Sequence, residues 1–284
     1  MTDRTLTVGI VGLGLIGGSF AKALKAHTNH RVLADDRDKT TLLAAQMTGD
    51  IDGVLDDSSL PQCDVLLLSL YPEATVDYLT FCADRLKKGC TVIDCCGVKR
   101  FVCERIEPLA KKQGFLFIGG HPMAGAQFSG FSHARDNLFK GASMILAAGE
   151  INDILLLERL KKFFTSLGFE KLTVTTPEEH DRIIAYTSQL AHVVSNAYIK
   201  SPTAQRRSGF SAGSFRDMTR VARLNVPMWT ELFLENGDFL AKEIDLLIEN
   251  LTAFSETIKA GDAEALSALL RDGAEQKKKT LTNH

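Results

Sequence analysis

Residues 8–19, Val-Gly-Ile-Val-Gly-Leu-Gly-Leu-Ile-Gly-Gly-Ser, leave this chain few folds to choose from. Leu6, Val8, Ile10 and Val11 make a short uncharged run bounded by glycine, the pattern of a strand buried on both faces of a parallel sheet. Gly12, Gly14 and Gly17 then spell G-x-G-x-x-G, and Phe20, Ala21, Ala23 and Leu24 continue at helical spacing. In such a strand–turn–helix each glycine has a mechanical duty. Gly12 permits the tight turn, Gly14 lets a pyrophosphate approach the backbone, and Gly17 lets the helix lie close on the strand. With Leu15 and Ile16 they set the anion at a helix N-terminus, where free N–H groups and the helix dipole favour negative charge.

Residues 31–36, Arg-Val-Leu-Ala-Asp-Asp, read as the second strand. Asp36 falls about twenty residues past Gly17, where a carboxylate can take both hydroxyls of an adenosine ribose. A glycine-rich turn with no nucleotide is the alternative; strand, helix and acid together argue for an NAD-type dinucleotide. Asp36 favours NAD because it repels a 2′-phosphate, while Arg37 beside it keeps NADP open.

The chain has 284 residues, enough for one large or two ordinary domains. Lysine plus arginine (33) nearly balances aspartate plus glutamate (35), so no global field points to nucleic acid or a membrane surface. No uncharged run combines membrane-spanning length with sufficient apolarity. Met1 to Arg4 lead almost directly into the first strand, leaving no room for a signal or transit peptide. All six cysteines fall between positions 63 and 103, without C-x-x-C spacing or a histidine among them, so a zinc site is not expected. Cys95-Cys96 is either a redox pair or two small buried strand residues. Unpaired thiols in a nucleotide-binding half suggest a reducing cytoplasm.

From residue 5 to 176 strands and helices alternate. Helices are expected over 39–47, 72–86, 101–112 and 154–167; strands over 64–70, 91–95, 115–118, 144–148 and 171–175. The fold class is therefore α/β, a Rossmann-type doubly wound and mostly parallel sheet over residues 1–176. Strands stop at Pro177, and an all-helical domain, 177–284, follows. Residues 183–199 carry no charge, which predicts one helix buried nearly all round, with Ser188, His192, Ser195 and Asn196 as a narrow polar stripe. Further helices are read at 214–224, 228–259 and 262–279. Leu240, Ile244, Leu247, Leu251, Phe254 and Ile258 form a seam that serves either a second subunit or a bundle core. A cleft between the domains would hold the substrate.

Three places could do chemistry. His121, in Gly119-Gly120-His121-Pro122 leaving a strand end, is either a general base or a structural loop histidine. His192 is either a functional residue in a polar stripe with Ser188 and Asn196 or a hydrogen-bonded core histidine. Residues 201–223 hold Arg206, Arg207, Arg216, Arg220 and Arg223 against one acid, Asp217. Arg216, Arg220 and Arg223 are expected on one helical face, which suits a small anionic substrate through bidentate guanidinium contacts. A solvated charged face is the alternative.

Six ordered segments resemble the prephenate/arogenate dehydrogenase family: the glycine motif at 12–19, Asp-Cys-Cys-Gly-Val-Lys at 94–99, Gly-His-Pro-Met-Ala-Gly at 120–125, Pro-Glu-Glu-His-Asp at 177–181, Ser-Gln-Leu-Ala-His at 188–192 and Gly-Ser-Phe-Arg-Asp-Met-Thr-Arg at 213–220. The resemblance implies NAD(P)-dependent oxidation of a 4-hydroxycyclohexadienyl acid with loss of its ring carboxylate. It implies that His121 takes the ring hydroxyl's proton and that Arg220 clamps the ring carboxylate; Arg216 and Arg207 of the arginine cluster and Ser188 of the polar stripe are the further substrate-binding candidates. It puts His192, the second catalytic candidate, near the substrate side chain. It also implies a homodimer formed through the C-terminal helices. Many family members carry a serine where this chain has Gly97, so the hydroxyl that orients histidine and nicotinamide there must be absent or come from Ser69 or a water.

Overall fold

The computed structural model describes residues 4–126, 128–147, 153–210 and 212–282. In chain order the regular elements begin with β1 (Thr7–Val11), α1 (Leu15–His27), β2 (Arg31–Asp35), α2 (Lys39–Met47), β3 (Gly53–Val54), β4 (Val65–Leu68), α3 (Pro72–Cys82) and β5 (Thr91–Asp94). Then come α4 (Arg100–Gln113), β6 (Leu116–Pro122), β7 (Ser143–Ala147), α5 (Ile154–Ser166), β8 (Lys171–Thr175), α6 (Pro177–Ile184) and a π-helical turn, Ala185–Leu190. The last are α7 (Ala191–Tyr198), α8 (Gly213–Thr219), α9 (Val226–Glu235), α10 (Gly237–Ala260) and α11 (Ala263–Thr282). Ala148, the strand end expected from sequence, and Ser211, within the arginine-rich stretch, lie outside the described residues.

The strands form one sheet in the order β3-β2-β1-β4-β5-β6-β7-β8. All neighbours are parallel except β6 and β7. Alternate strand residues feed two cores. Ile10, Val32, Leu67, Ile93 and Ile118 pack with Phe20 of α1 and Leu160 and Phe164 of α5. Val11, Leu33, Leu66, Leu68 and Val92 pack with Leu79 of α3 and Val102 and Ile106 of α4. Helices therefore cover both faces, and the order reverses between β1 and β4, the switch point at which ligands of such sheets bind beyond the strands' carboxyl ends.

Contacts divide the chain into two compact units: Met1–Ile184 with Asn225–Glu235, and Ala185–Leu224 with Asn236–His284. The end of the strands suggests a division at 176, but α6 and α9 group with the sheet. Asp181 of α6 accepts hydrogen bonds from the Lys99 and Arg100 N–H groups, and Glu231 of α9 accepts one from the Glu73 N–H at the start of α3.

Three expectations about the helices need correction. Residues 183–199 are not one smooth rod. A π-helical turn interrupts them, and Ile183, Tyr186 and Tyr198 are exposed in the single chain. Residues 228–259 are two helices, because buried Asn236 leaves helical geometry and gives its amide N–H to Gln189 Oε1 at 2.8 Å, followed by Gly237. Arg216, Arg220 and Arg223 do not share a helix face: α8 ends at Thr219, Arg220 caps it, and Arg223 lies in the turn beyond. In the second unit α10 pairs with α11 and with the π-helical turn. Of its expected seam only Leu240 is buried, while Leu251 and Ile258 are exposed. Among the described residues no helix is long and apolar enough to cross a membrane.

Candidate active site

The glycine motif takes the geometry its spacing requires. Gly12 has φ 87°, and a Cβ there would stand 2.6 Å from the Ser69 carbonyl oxygen, where β1 and β4 end side by side. A Cβ on Gly17 would meet the Gly12 carbonyl oxygen at 1.8 Å; one on Gly14 would meet nothing, so that face of the turn is open. Leu15 opens α1 and Ile16 follows it. Asp36, just past β2, accepts the Leu13 N–H on Oδ2 at 2.6 Å and the Asp38 N–H on Oδ1 at 2.8 Å, which ties its carboxylate to the turn. Arg37 beside it is exposed. The hydroxyl oxygen of Ser69 is buried and finds no hydrogen-bond partner among the described residues, and burial, aided by the Asp94 charge, pushes the Cys95 thiol up to about 12. Cys95 and Cys96 lie just past β5 rather than in it, and all six cysteines are unpaired. An open cradle at a helix N-terminus with a fixed acid nearby fits a dinucleotide.

His121 is in a strand, not a loop. Beyond Ile118 the ladder between β5 and β6 ends, but β6 continues as an antiparallel partner of β7, with His121 opposite Ile145. Gly120 allows this, since a Cβ there would lie 2.3 Å from the Asp94 carbonyl oxygen. Its own polar atoms are taken by side chains. The Gly120 N–H donates to Asp94 Oδ1 at 3.1 Å, and Lys99 Nζ donates to the Gly120 carbonyl at 2.5 Å. Lys99 and Asp94 are fully buried and form an ion pair with each other. Burial opposes the Lys99 charge, but Asp94 leads the interactions that hold its pKa above the ordinary value.

From His121 a line of contacts runs inward. Its Nδ1 lies 2.8 Å from His180 Nε2, and His180 Nδ1 lies 2.7 Å from Asp181 Oδ1. Asp181 Oδ1 also accepts the Lys99 N–H at 2.7 Å, and Oδ2 the Arg100 N–H at 2.9 Å. A carboxylate from α6 thus caps the otherwise orphan N–H groups at the start of α4. Burial, then the electrostatic coupling to the His180 ring, then the Lys99 charge drive the His121 pKa well below its ordinary value. Burial also lowers that of His180, against the pull of Asp181. Burial alone would raise Asp181, but its bonds from His180 and the two backbone N–H groups hold it low. At neutral pH the site is a neutral imidazole pair on an ionised carboxylate.

The sequence marks His180 and Asp181 only as part of a resembling segment and assigns no role to Lys99 or Asp94. The available signal is two acids, a histidine and an aspartate packed into the opening turns of a helix directly after the last strand.

The other expected site residues belong to the second unit. His192 Nδ1 lies 2.8 Å from the Ser188 carbonyl oxygen, one turn back, and its pKa is lowered by burial, with the Arg220 charge adding to the effect. Asn196 donates to the Ala222 carbonyl at 3.2 Å, fixing the turn after Arg220. Arg207 stacks over the Phe215 ring at 5.2 Å, and Arg216 and Arg220 are exposed. His121 and the glycine motif belong to the first unit.

The family model described as "Prephenate dehydrogenase, nucleotide-binding domain" matches residues 20–171, and "Prephenate dehydrogenase, dimerization domain" matches 176–272. Prephenate dehydrogenase of Bacillus subtilis (strain 168) is 30% identical over 94% of this chain and 74% of its own. Cyclohexadienyl dehydrogenase of Zymomonas mobilis is 27% identical over 98% of this chain and 97% of its own. Among solved structures, prephenate dehydrogenase from A. aeolicus in complex with hydroxyphenyl propionate and NAD+ superposes with TM-score 0.82 at 26% identity, covering 99% of this chain and 100% of that one. Synechocystis arogenate dehydrogenase superposes with TM-score 0.81 at 27% identity, covering 97% and 100%.

Proposed function

This chain belongs to the prephenate dehydrogenase family, and on that premise we propose that it oxidises and decarboxylates prephenate to 4-hydroxyphenylpyruvate with NAD, a step toward tyrosine. The observation that carries the reading is a neutral, hydrogen-bonded His121 beyond the parallel part of a strand in a sheet whose first turn is built for a dinucleotide.

When bound, NAD supplies the hydride acceptor. Gly12, Gly14, Leu15, Ile16 and Gly17 would hold its pyrophosphate, Asp36 with Arg37 its adenosine ribose, and Ser69 would lie at the switch point beside them. His121 accepts the proton of the C4 hydroxyl as that carbon is oxidised. The bond from the ring to its carboxylate then breaks, CO2 leaves, and the electron pair enters the ring. The product is a phenol once its oxygen regains a proton. The carbonyl formed at C4 is the electron sink, so this second stage asks little more of the protein. Arg220, with Arg216, Arg207 and Ser188, binds the substrate's carboxylates, and His192 serves the side chain; a guanidinium fork fixes a carboxylate's direction as well as its charge. NADP is the lesser cofactor, because the Asp36 carboxylate repels a 2′-phosphate.

The apolar residues left exposed along α10 and α11, among them Leu251, Ile258 and Leu270, fit a face covered by a second copy. The family's dimerization domain supports the same homodimer. Six unpaired cysteines fit a reducing, cytoplasmic setting.

A second reading, arogenate to tyrosine, is favoured by the likeness to the Synechocystis arogenate dehydrogenase. The test is reduced-nicotinamide absorbance with NAD and each acid in turn. Prephenate should give the higher kcat/KM, with His121→Asn losing roughly 10²–10⁴ in kcat. Preference for arogenate moves the assignment to the second reading; no turnover of either overturns both.

A further inference from the structure

We propose that His180 and Asp181 are positioning residues that hold His121 in a single tautomer, its Nδ1–H turned into the protein and its Nε2 lone pair left for the substrate. The inference rests on the reading of His121 as the base and explains what makes it one.

The carboxylate fixes the first hydrogen. Asp181 is buried, and its oxygens accept the Lys99 and Arg100 backbone N–H groups, which can only donate. An ionised carboxylate is acceptor only, so the ring nitrogen 2.7 Å from Oδ1, His180 Nδ1, must carry a hydrogen. A neutral imidazole has one N–H, so His180 Nε2 is bare. Facing it at 2.8 Å is His121 Nδ1, and one hydrogen must lie between the two nitrogens. It therefore belongs to His121, whose Nε2 is left with the lone pair. One carboxylate thus sets the direction of both hydrogen bonds. Lys99 acts in the same sense: fully buried and charged, it disfavours an imidazolium on either ring.

The opposite arrangement has a different chemistry. Were His180 doubly protonated, it would donate to His121 Nδ1, and His121 would present Nε2–H outward, a donor unable to take a hydroxyl proton. The anchor also explains why the arrangement is stiff. Asp181 is held by the first N–H groups of α4 and His180 by Asp181, so the tautomer is set by a helix terminus rather than by a mobile side chain.

The test is a long-range ¹H–¹⁵N correlation spectrum of the full-length enzyme with ¹⁵N-labelled histidine at pH 7.5, with no substrate added. His121 and His180 are expected as neutral rings protonated at Nδ1, assigned by loss of their signals in His121→Asn and His180→Leu. In His180→Leu the single tautomer of His121 should be lost and kcat should fall by up to about 10⁴-fold, the scale on which a wrong tautomer costs a base-dependent enzyme. KM for both substrates should stay within a few-fold. His180→Gln, whose amide oxygen can accept the same Nδ1–H, should recover most of the rate. His121 protonated at Nε2 in the wild-type spectrum overturns the proposal, as does an unchanged kcat in His180→Leu. Should His180→Leu fail to fold, the wild-type spectrum and His180→Gln decide. The spectrum needs no turnover, so failure of the base assignment, read from an active His121→Asn, stays separate from failure of the tautomer lock.

Discussion

A Cβ on residue 17 would stand 1.8 Å from the carbonyl oxygen of Gly12, whereas one on Gly14, three residues earlier, would touch nothing. Packing therefore requires a glycine at 17 but not at 14, where, on the proposed function, the requirement is the approach of the pyrophosphate. Gly17→Ala should cost at least about 3 kcal/mol of stability, the upper end for overpacking, because the atom in its way is backbone. Gly14→Ala should melt within about a degree of wild type yet lose NAD affinity tenfold or more. Thermal melts beside an NAD titration check both; a Gly14→Ala that binds NAD normally would remove the pyrophosphate from that turn.

Asp36 is the residue on which cofactor choice should turn. Its carboxylate is aimed by the Leu13 and Asp38 N–H groups. Asp36→Ala should lower kcat/KM for NAD by roughly 10–150-fold, the worth of charged hydrogen bonds of about 1.5–3 kcal/mol. The loss for NADP should be much smaller, since the repulsion of its 2′-phosphate goes with the carboxylate. Paired kinetics with the two cofactors read the difference; parallel losses would place the ribose elsewhere.

Arg220 should separate the two substrates. Arg220→Ala should raise KM for prephenate by roughly 10–100-fold, on the same charged-bond scale, and leave KM for NAD nearly unchanged. Equal effects on both would assign the arginine to folding.

Stability should depend on pH through two groups of opposite sign. Both carboxylate oxygens of Glu235, the last residue of α9, are shielded and find no hydrogen-bond partner among the described residues. Burial, with the charges of Glu231 and Glu73 adding to it, pushes its pKa up from 4.5 to about 8. A raised folded pKa means its contribution is full below 4.5 and is lost as pH rises toward 8. Glu235→Gln should therefore match wild type near pH 4.5 and melt roughly 2–4 °C higher at pH 8, as about 1 kcal/mol gives in a chain of this size. His121 and His180, with depressed values, contribute fully above 6.5 and lose that contribution as pH falls below it. Calorimetry of wild type and variant between pH 4.5 and 8.5 distinguishes the two slopes.

The first β–turn–α unit is legible in sequence because it is local: a β-branched run, three glycines and an acid lie within thirty residues, and each acts through backbone geometry. His121 is legible as a candidate but not as a strand residue, since what extends β6 past its parallel partner is β7, about twenty-five residues on, and the Asp94–Lys99 pair. The His180–Asp181 anchor is harder still, because it depends on α6 returning to the start of α4, a contact that no periodicity encodes. In the second unit, Asn236-Gly237 is a readable helix breaker overridden by the long apolar repeat around it. The smooth burial expected for 183–199 fails because a lack of charge does not show that a helix is covered, and no periodicity marks the π-helical turn that interrupts it.

The grip of Asp94 and Lys99 on Gly120 has a mechanical consequence. One side chain takes the amide hydrogen and the other the carbonyl oxygen of the same residue, so together they stand in for the neighbouring strand that β5 no longer provides. Sliding β6 by one position would take the Gly120 amide and carbonyl away from the buried ion pair and turn the imidazole to the opposite side of the sheet. The ion pair thus works as a registration pin, indexing the His121 ring to one place along its strand.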